Sequence, residues 1–329
     1  VALASASANA NVSVGGTVVG TLANAIAAGN DLVVNLNSAA TAANVQTLVR
    51  AITYQNTDTD NPTTGARTVR TTVNDGDGGT SASADVTVTV VVPSIDVSAL
   101  NGTTGFRLDG AAANDESGLY VSGAGDVNGD GFDDVIVGAN RHDPDSISNA
   151  GVSYVVFGKA SGFSSSIDLS TLDGSTGFRL DGVAANDWSG RAVSGAGDVN
   201  GDGFDDVIIG ARQVSGGGAS YVVFGKASGF SSSIDLSTLD GSTGFRLDSA
   251  GGGTYFGDTV GSAGDVNGDG FDDIIVGASR FNAGAGSQSG SSYVVFGKAS
   301  GFSSSIDVST LDGTTGFRLD GEDVFNRSG

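Results

Sequence analysis

The stretch GDVNGDGFDDVIVGA, residues 125–139, occurs three times: it returns as GDVNGDGFDDVIIGA at 197–211 and as GDVNGDGFDDIIVGA at 264–278. Each copy places oxygen-bearing side chains at alternating positions of a tight loop and then runs into an apolar segment. In the first copy these side chains are Asp126, Asn128 and Asp130, with Asp134 four residues on. Side chains at positions 1, 3 and 5 of a curled loop converge, the Phe132 carbonyl can add an oxygen, and Asp134 closes the shell. Gly129 and Gly131 permit the backbone angles the curl needs. A hard, oxygen-seeking cation, Ca²⁺ above all, is held by such a donor set.

The loops sit in a longer repeat. IDVSALNGTTGFRLDG (95–110) returns as IDLSTLDGSTGFRLDG (167–182), IDLSTLDGSTGFRLDS (234–249) and IDVSTLDGTTGFRLDG (306–321), at offsets of 72, 67 and 72 residues. Such a period predicts an array or propeller, because one unit cannot bury its own apolar face. The first unit offers four strand candidates, Leu119–Gly123, Asp134–Ala139, Val152–Phe157 and Gly177–Leu180, the number in a propeller blade. The spacers NRHDPDSISNA (140–150), RQVSGGGA (212–219) and SRFNAGAGSQSG (279–290) vary most. Variable loops on a constant scaffold are where binding specificity usually lies.

The units resemble the FG-GAP repeats of integrin α-chain propellers and their bacterial relatives. That pattern is Phe-Gly, a D-x-D/N-x-D-G-x-x-D loop, then Gly-Ala-Pro. Phe256-Gly257 keeps the first dipeptide, whereas Ser117-Gly118 and Ser189-Gly190 depart from it. Asn140, Arg212 and Ser279 stand in place of the proline. The resemblance implies a seven-bladed propeller with calcium in loops on its lower face. It also implies the ligands Asp126, Asn128, Asp130, Phe132 (carbonyl) and Asp134; Asp198, Asn200, Asp202, Phe204 (carbonyl) and Asp206; and Asp265, Asn267, Asp269, Phe271 (carbonyl) and Asp273. Asp133, Asp205 and Asp272 fall between ligand positions and are expected to cap or face solvent. By the same topology GFRLD is the outer strand of the preceding blade. Residues 118–321 then supply three blades, 95–109 is an outer strand without a blade, and the ring does not close within this chain.

The loop differs from other glycine- and acid-rich loops. An EF-hand needs an acid at position 12 and flanking helices, but Val137, Ile209 and Val276 stand there, inside β-like runs. A metal-free acidic loop would leave three to four carboxylate or amide groups per loop unneutralised and repelling. A phosphate loop would need a following Gly-Lys-Ser/Thr and a helix.

Residues 1–93 carry no copy of the repeat. Val12–Val19 and Leu32–Leu36 read as strands, and Thr41–Ile52 as a helix with Thr41 as N-cap. Arg67–Val73 and Ala84–Val92 read as half-buried strands around a turn at Asn74–Gly79. LVRAITYQNTDTDNPTTGARTVRTTVNDGDGGTSASADVTVTV (48–90) resembles the cadherin-like and immunoglobulin-like modules of giant bacterial surface proteins, which implies a β-sandwich. The fold expected is therefore all-β: a sandwich-like module over 1–93 and propeller repeats over 94–329. Asp75 and Asp77 read as turn formers, with calcium at a module junction as the alternative.

Thirty-seven acids against 15 bases give a net charge of −22, which argues against nucleic acid as a partner. Among 329 residues there are 54 glycines without a collagen period, no cysteine and no methionine. The missing methionine suggests a processed product or a piece of a longer chain. No run of 18 apolar residues offers a membrane span. Acidity, absence of cysteine and calcium-type loops together suggest an exported protein. His142, the only histidine, reads as an exposed loop residue, and Ser164–Ser166 has no base partner in sequence, so no catalytic set is expected. Trp188 and Tyr120 read as replacing one another near the start of each unit, packing against the neighbouring blade in preference to stacking on sugar. Arg107, Arg179, Arg246 and Arg318 read as pairing with the acid two residues later. Asn11, Asn101 and Asn326 lie in glycosylation sequons. These features point to a calcium-binding, non-catalytic structural or adhesive module of a secreted surface protein or filament. Its expected partners are other copies of itself, further repeats, or a surface glycan or protein. The alternatives are a fibre subunit joined by strand exchange and an accessory propeller of a polysaccharide-active enzyme.

Overall fold

The computed structural model describes residues 2–3, 7–23, 32–51, 65–72, 84–90, 96–282, 288–322 and 329. They fall into two compact units, residues 1–95 and 96–329.

In the first unit Ala2–Leu3, Asn11–Val14, Thr17–Leu22 and Val34–Leu36 form an antiparallel meander. The run Val12–Val19 is thus a hairpin, not one strand. Gly15 and Gly16 have φ of 57° and 82°, a turn only glycine makes cheaply. The strand expected at Leu32–Leu36 is confined to Val34–Leu36. Helix Ala42–Arg50 follows, and Thr41 Oγ1 accepts the Asn44 amide at 3.3 Å as the N-cap. Val12, Val19 and Leu22 are buried, with Val34 and Leu48 packed on them. Gly65–Thr71 and Ala84–Val90 pair as a separate hairpin. A meander, one helix and a hairpin are therefore what the described residues show where the pattern suggested a sandwich. Asn74–Gly79, with Asp75 and Asp77, and Asn326 lie outside the described residues.

The second unit contains three antiparallel four-stranded sheets in chain order. The first is Tyr120–Gly125, Asp134–Ala139, Val152–Val156 and Gly177–Asp181. The second is Ala192–Gly197, Asp206–Ala211, Ala219–Val223 and Gly244–Asp248. The third is Phe256–Gly264, Asp273–Ala278, Ser291–Val295 and Gly316–Asp320. In each, the strand that follows the acidic loop is central, and in Asp206–Ala211 all six residues are buried. Burial on both faces explains why these strands read as continuous apolar runs rather than alternating ones. Their glycines have a spatial reason. A Cβ on Gly138 would come within 2.1 Å of the Gly190 carbonyl oxygen, and one on Gly210 within 2.0 Å of that of Gly257. The next unit approaches too closely for any side chain.

Each unit is also tied to the one before it. After its third strand the chain runs back as a three-residue strap: Ser233–Asp235 pairs in parallel with Gly177–Asp181, and Ser305–Asp307 with Gly244–Asp248. A 3-10 turn follows, the amide of its second residue bonded to the strap's aspartate, as Ser170 N donates to Asp168 at 2.9 Å. The chain then supplies its own fourth strand. Ser166–Asp168 makes the same parallel pair with Arg107–Asp109, which stands in a fourth-strand position without a sheet of its own, as the repeat count implied. The cores lie between sheets: one cluster joins Ile136, Phe178 and Leu180 to Val193, Val207 and Ile209, and the next repeats it one unit on. Phe178 stacks on Phe230 at 4.5 Å, Phe245 on Phe302 at 4.6 Å and Phe106 on Phe163 at 4.4 Å, so the fourth strands of the first two sheets, and the segment at Phe106, carry a ring that the following unit covers.

Candidate functional site

The acidic loops join the first strand of each sheet to the second. In the first, Asp126 accepts the Asp130 amide at 3.0 Å through Oδ1 and the Gly131 amide at 2.9 Å through Oδ2. Asn128 Oδ1 accepts the Asp130 amide at 2.9 Å, and its Nδ2 donates to Asp130 Oδ2 at 3.1 Å. Asp130 Oδ1 accepts the Phe132 amide at 2.9 Å. Gly129 and Gly131 turn the chain with φ of 72° and 87°. Asp198, Asn200 and Asp202 repeat these bonds in the second loop, and Asp265, Asn267 and Asp269 in the third.

The ninth loop residue is different in kind. Asp134, Asp206 and Asp273 are buried, at 1%, 0% and 0% exposure. Asp134 accepts the Val127 amide at 3.0 Å and the Gly158 amide at 2.7 Å, pinning the loop to the chain beyond the third strand. Asp206 does so with Val199 and Gly225, and Asp273 with Val266 and Gly297. Burial pushes the Asp134 carboxyl up to about 6 against the pull of its two amides, and Asp130 and Asp126 add to the rise. The same causes take Asp206 to about 8.

The donor set fits a hard divalent cation: it is all oxygen, mostly anionic, and includes a carboxylate whose burial a positive charge would offset. Among the described residues, however, no three His, Cys, Asp or Glu side chains are gathered closely enough to hold a metal ion as they stand. The reason is visible in the bonding, since Asp126 and Asp134 each turn both oxygens onto main-chain amides.

Asp205 and Asp272 do more than cap or face solvent. Asp205 reaches back one unit, where its Oδ2 accepts the Asp126 amide at 2.8 Å while its own amide donates to the Asp126 carbonyl at 3.2 Å. Asp272 makes the same pair of bonds with Asp198, at 3.0 and 3.2 Å. The Phe204 ring lies over Gly129 and the Phe271 ring over Gly201, each 2.3 Å from where a Cβ would stand. Lys226 N donates to the Val127 carbonyl, and Lys298 N to that of Val199, both at 3.0 Å. Successive loops are therefore joined into a column. Asp133 is the exposed counterpart on the first sheet.

At the other end of the central strands lies a feature the sequence reading did not find. Arg141 is 5.9 Å and Arg212 5.6 Å from the Trp188 ring; Arg212 is 5.0 Å and Arg280 4.1 Å from Tyr255. Arginines and rings alternate across all three units, with Glu116 bonded to Arg141 at 3.0 Å at one end. The available signal was an arginine one or two residues after each Gly-Ala. Register also corrects the expected equivalence of Trp188 and Tyr120. Tyr120 pairs with Gly138 where Ala192 pairs with Gly210, so Trp188 corresponds to Glu116 and Tyr255. All three have left-handed φ, between 56° and 58°.

His142 is not simply exposed. Its Nδ1 lies 2.6 Å from Asp115 Oδ2 and its side chain is 15% exposed. It meets Tyr154 edge-on at 6.4 Å, as Phe281 meets Tyr293 at 6.2 Å, which makes it a packing residue over a buried tyrosine. The recurrent arginines do pair with the acid two residues on, as in Arg179–Asp181 at 2.6 Å and Arg318–Asp320 at 2.7 Å. Arg107–Asp109 and Arg246–Asp248 repeat the pairing.

Residues 119–156, 189–223 and 256–295 each match the FG-GAP repeat. The chain is 34% identical over 180 residues to integrin alpha pat-2 of Caenorhabditis briggsae, 31% over 156 to integrin alpha-4 of Xenopus laevis and 31% over 161 to integrin alpha-PS3 of Drosophila melanogaster. These alignments cover 50%, 47% and 49% of this chain but only 14%, 14% and 13% of the relatives. The three sheets that carry the acidic loops are thus three FG-GAP repeats, similar to those of integrin α chains.

Proposed function

We propose that this chain is a calcium-binding, non-catalytic adhesive or structural module of a large extracellular surface protein. The first unit would be a cadherin-like neighbour of the kind strung along bacterial surface proteins. The observation that carries this reading is the oxygen-only loop, repeated three times and anchored each time on a buried aspartate. Asp126, Asn128, Asp130, the Phe132 carbonyl and Asp134, with their counterparts in the other two loops, would hold the ion. Bound Ca²⁺ supplies charge neutralisation to a segment that otherwise closes only on its own amides. The likeness to integrin α chains supports an extracellular, adhesive role, and the arginine–aromatic row together with the variable spacers would face a glycan or protein partner.

Calorimetric titration of the metal-free chain with Ca²⁺ tests this. Three sites per chain are expected, and each should stabilise the fold by about 2.7 kcal/mol when calcium is a hundredfold above its dissociation constant. The melting temperature should fall again on chelation, and D126N/D130N should remove one site. No heat of binding and a melting temperature indifferent to calcium would overturn the reading. The outer strand Arg107–Asp109, which has a parallel partner but no four-stranded sheet of its own, favours a second reading, a subunit that joins others of its kind into a fibre.

A further inference from the structure

We infer that the row of arginines and rings at the far end of the central strands binds a linear polysaccharide that carries carboxylates at intervals, with Arg191 and Arg280 as the groups that pair with them. The inference rests on the adhesive reading above and names the partner the row would take.

Arginines outnumber their acids in the row. Arg141 Nε is bonded to Glu116 at 3.0 Å and Arg212 Nη1 to Asp258 Oδ1 at 2.7 Å. The other Asp258 oxygen accepts the Ser279 hydroxyl at 3.0 Å. Arg191, placed directly before Ala192–Gly197, and Arg280 have no carboxylate partner among the described residues, in a chain with 37 acids to 15 bases. Both are half-buried on a ring: Arg191 lies 4.4 Å from Tyr120 and Arg280 4.1 Å from Tyr255. A guanidinium on a ring uses its flat face there and keeps its edge of N–H donors for a planar acceptor, which a carboxylate matches with two parallel bonds. Burial first, and then the charge of Arg212, hold the Arg191 pKa below its ordinary value against the weaker pull of Asp258 and Glu116. A cation in that position gains from an incoming anion.

The net charge of −22 does not cancel this. The acids of the three loops sit at the other end of six-residue strands, about 20 Å away. That is more than two Debye lengths of about 8 Å at physiological salt. The spacers RQVSGGGA (212–219) and SRFNAGAGSQSG (279–290), which carry Arg212 and Arg280, contain no acid, and neither does SAGGGTYFG (249–257). Asp187 is buried, with its carboxylate on the Ala184 amide at 3.0 Å. The first spacer does hold Asp143 and Asp145, so the positive stretch runs from Arg191 to Arg280.

The arrangement selects the kind of anion. The two guanidiniums without a carboxylate belong to successive units, and the Glu116 and Asp258 carboxylates stand among them. A densely charged polymer, such as a sulfated glycan, would set its anions against those carboxylates, whereas a chain with spaced charges need not. A peptide is held through side-chain pockets or by joining a strand edge. The row instead crosses strand ends: Arg191 precedes a first strand, and Arg212 and Arg280 follow second strands. Between the arginines, Trp188 and Tyr255 are half-buried and add neutral donors for sugar hydroxyls. Arg212 lies between these rings, 5.6 Å from one and 5.0 Å from the other, so charged and neutral groups alternate along the row as they do along an acidic polysaccharide.

Calorimetric titration of residues 1–329 with a hyaluronan oligosaccharide, which carries a carboxylate on every second sugar and no sulfate, tests it. Binding is expected. R191Q and R280Q should each weaken it about tenfold, the loss of one charge-assisted bond, and R191K and R280K, which keep the charge without the fork, should fall between. K159Q removes a cation beside Gly158, at the loop end of the strands, and should bind as wild type does. Neutral dextran should give no heat, and dextran sulfate and poly-L-glutamate should bind more weakly than hyaluronan. No heat with hyaluronan, arginine variants that bind like wild type, or tighter binding of dextran sulfate or poly-L-glutamate would each overturn the proposal, the last in favour of an acidic peptide. Every sample is also titrated with calcium. Hyaluronan binding lost while the calcium heats persist places the effect in the row, and calcium heats absent beside intact hyaluronan binding overturn the calcium reading alone.

Discussion

Gly129 and Gly131 sit two residues apart in the same loop, both left-handed, yet they answer to different constraints. Gly131 has open space where a Cβ would go, and Gly129 has the Phe204 ring. Alanine at Gly131 should cost only the left-handed backbone term, about 1–2 kcal/mol, whereas alanine at Gly129 should cost that and also displace the ring. Urea midpoints of the two variants check this, and equal losses would show that the ring gives way freely. Asp173 and Asp240 cap the turns before the fourth strands. The Ser175 amide heads the causes holding Asp173 down at about 2, and the Ser242 hydroxyl those holding Asp240 at about 2, from an ordinary 3.8. A carboxylate held low in the fold stabilises it fully above the unfolded value and loses that contribution as pH falls through the folded one. Carboxyl ¹³C titrations should therefore have midpoints near 2, and midpoints near the ordinary value would show turns that do not hold. The curl of the loop around Asp126, Asn128 and Asp130 was legible because alternation within five residues is a local signal. The role of Asp205 was not, because its partner Asp126 lies 79 residues away, and no local pattern separates it from the exposed Asp133.

At the scale of the element, the third-strand and fourth-strand segments were legible within a residue or two, because their repeats shared turn residues and apolar runs. The Val12–Val19 run misled for the opposite reason. Its period continues through Gly15-Gly16, and two successive left-handed residues override a continuous apolar pattern. Trp188 misled although the repeat itself equates it with Glu116, since GAAANDESG (110–118) and GVAANDWSG (182–190) stand 72 residues apart, the offset that the pairing of Ala192 with Gly210 repeats. The stacked rings give the element-scale test. Phe230 is 9% exposed and touches both Phe157 and Phe178. Phe230→Ala should destabilise by about 3–5 kcal/mol, read from chemical denaturation. Phe163→Ala should cost less than half of that, because Phe163 is half-buried and stacks on Phe106, beside a strand with one neighbour. Equal losses would mean that the Arg107–Asp109 segment is as firmly held as an internal one.

At the scale of the molecule, the repeat count anticipated three sheets and an outer strand without a sheet of its own. What the sequence could not show was how one sheet belongs to the next. That depends on the strap, which leaves its own unit, lies along the previous one, and returns. Units connected in this way are laced rather than stacked, and the lacing has a mechanical consequence. Tension along the chain is met by the parallel pairs Ser233–Asp235 with Gly177–Asp181 and Ser305–Asp307 with Gly244–Asp248, where it pulls along the strands, so their main-chain bonds share the load instead of opening one by one. When a lace fails, the length let out is that of a whole repeat, about 220–260 Å for 67–72 residues. A surface protein built from such links would lengthen in large, even increments under shear and hold its remaining units intact between them.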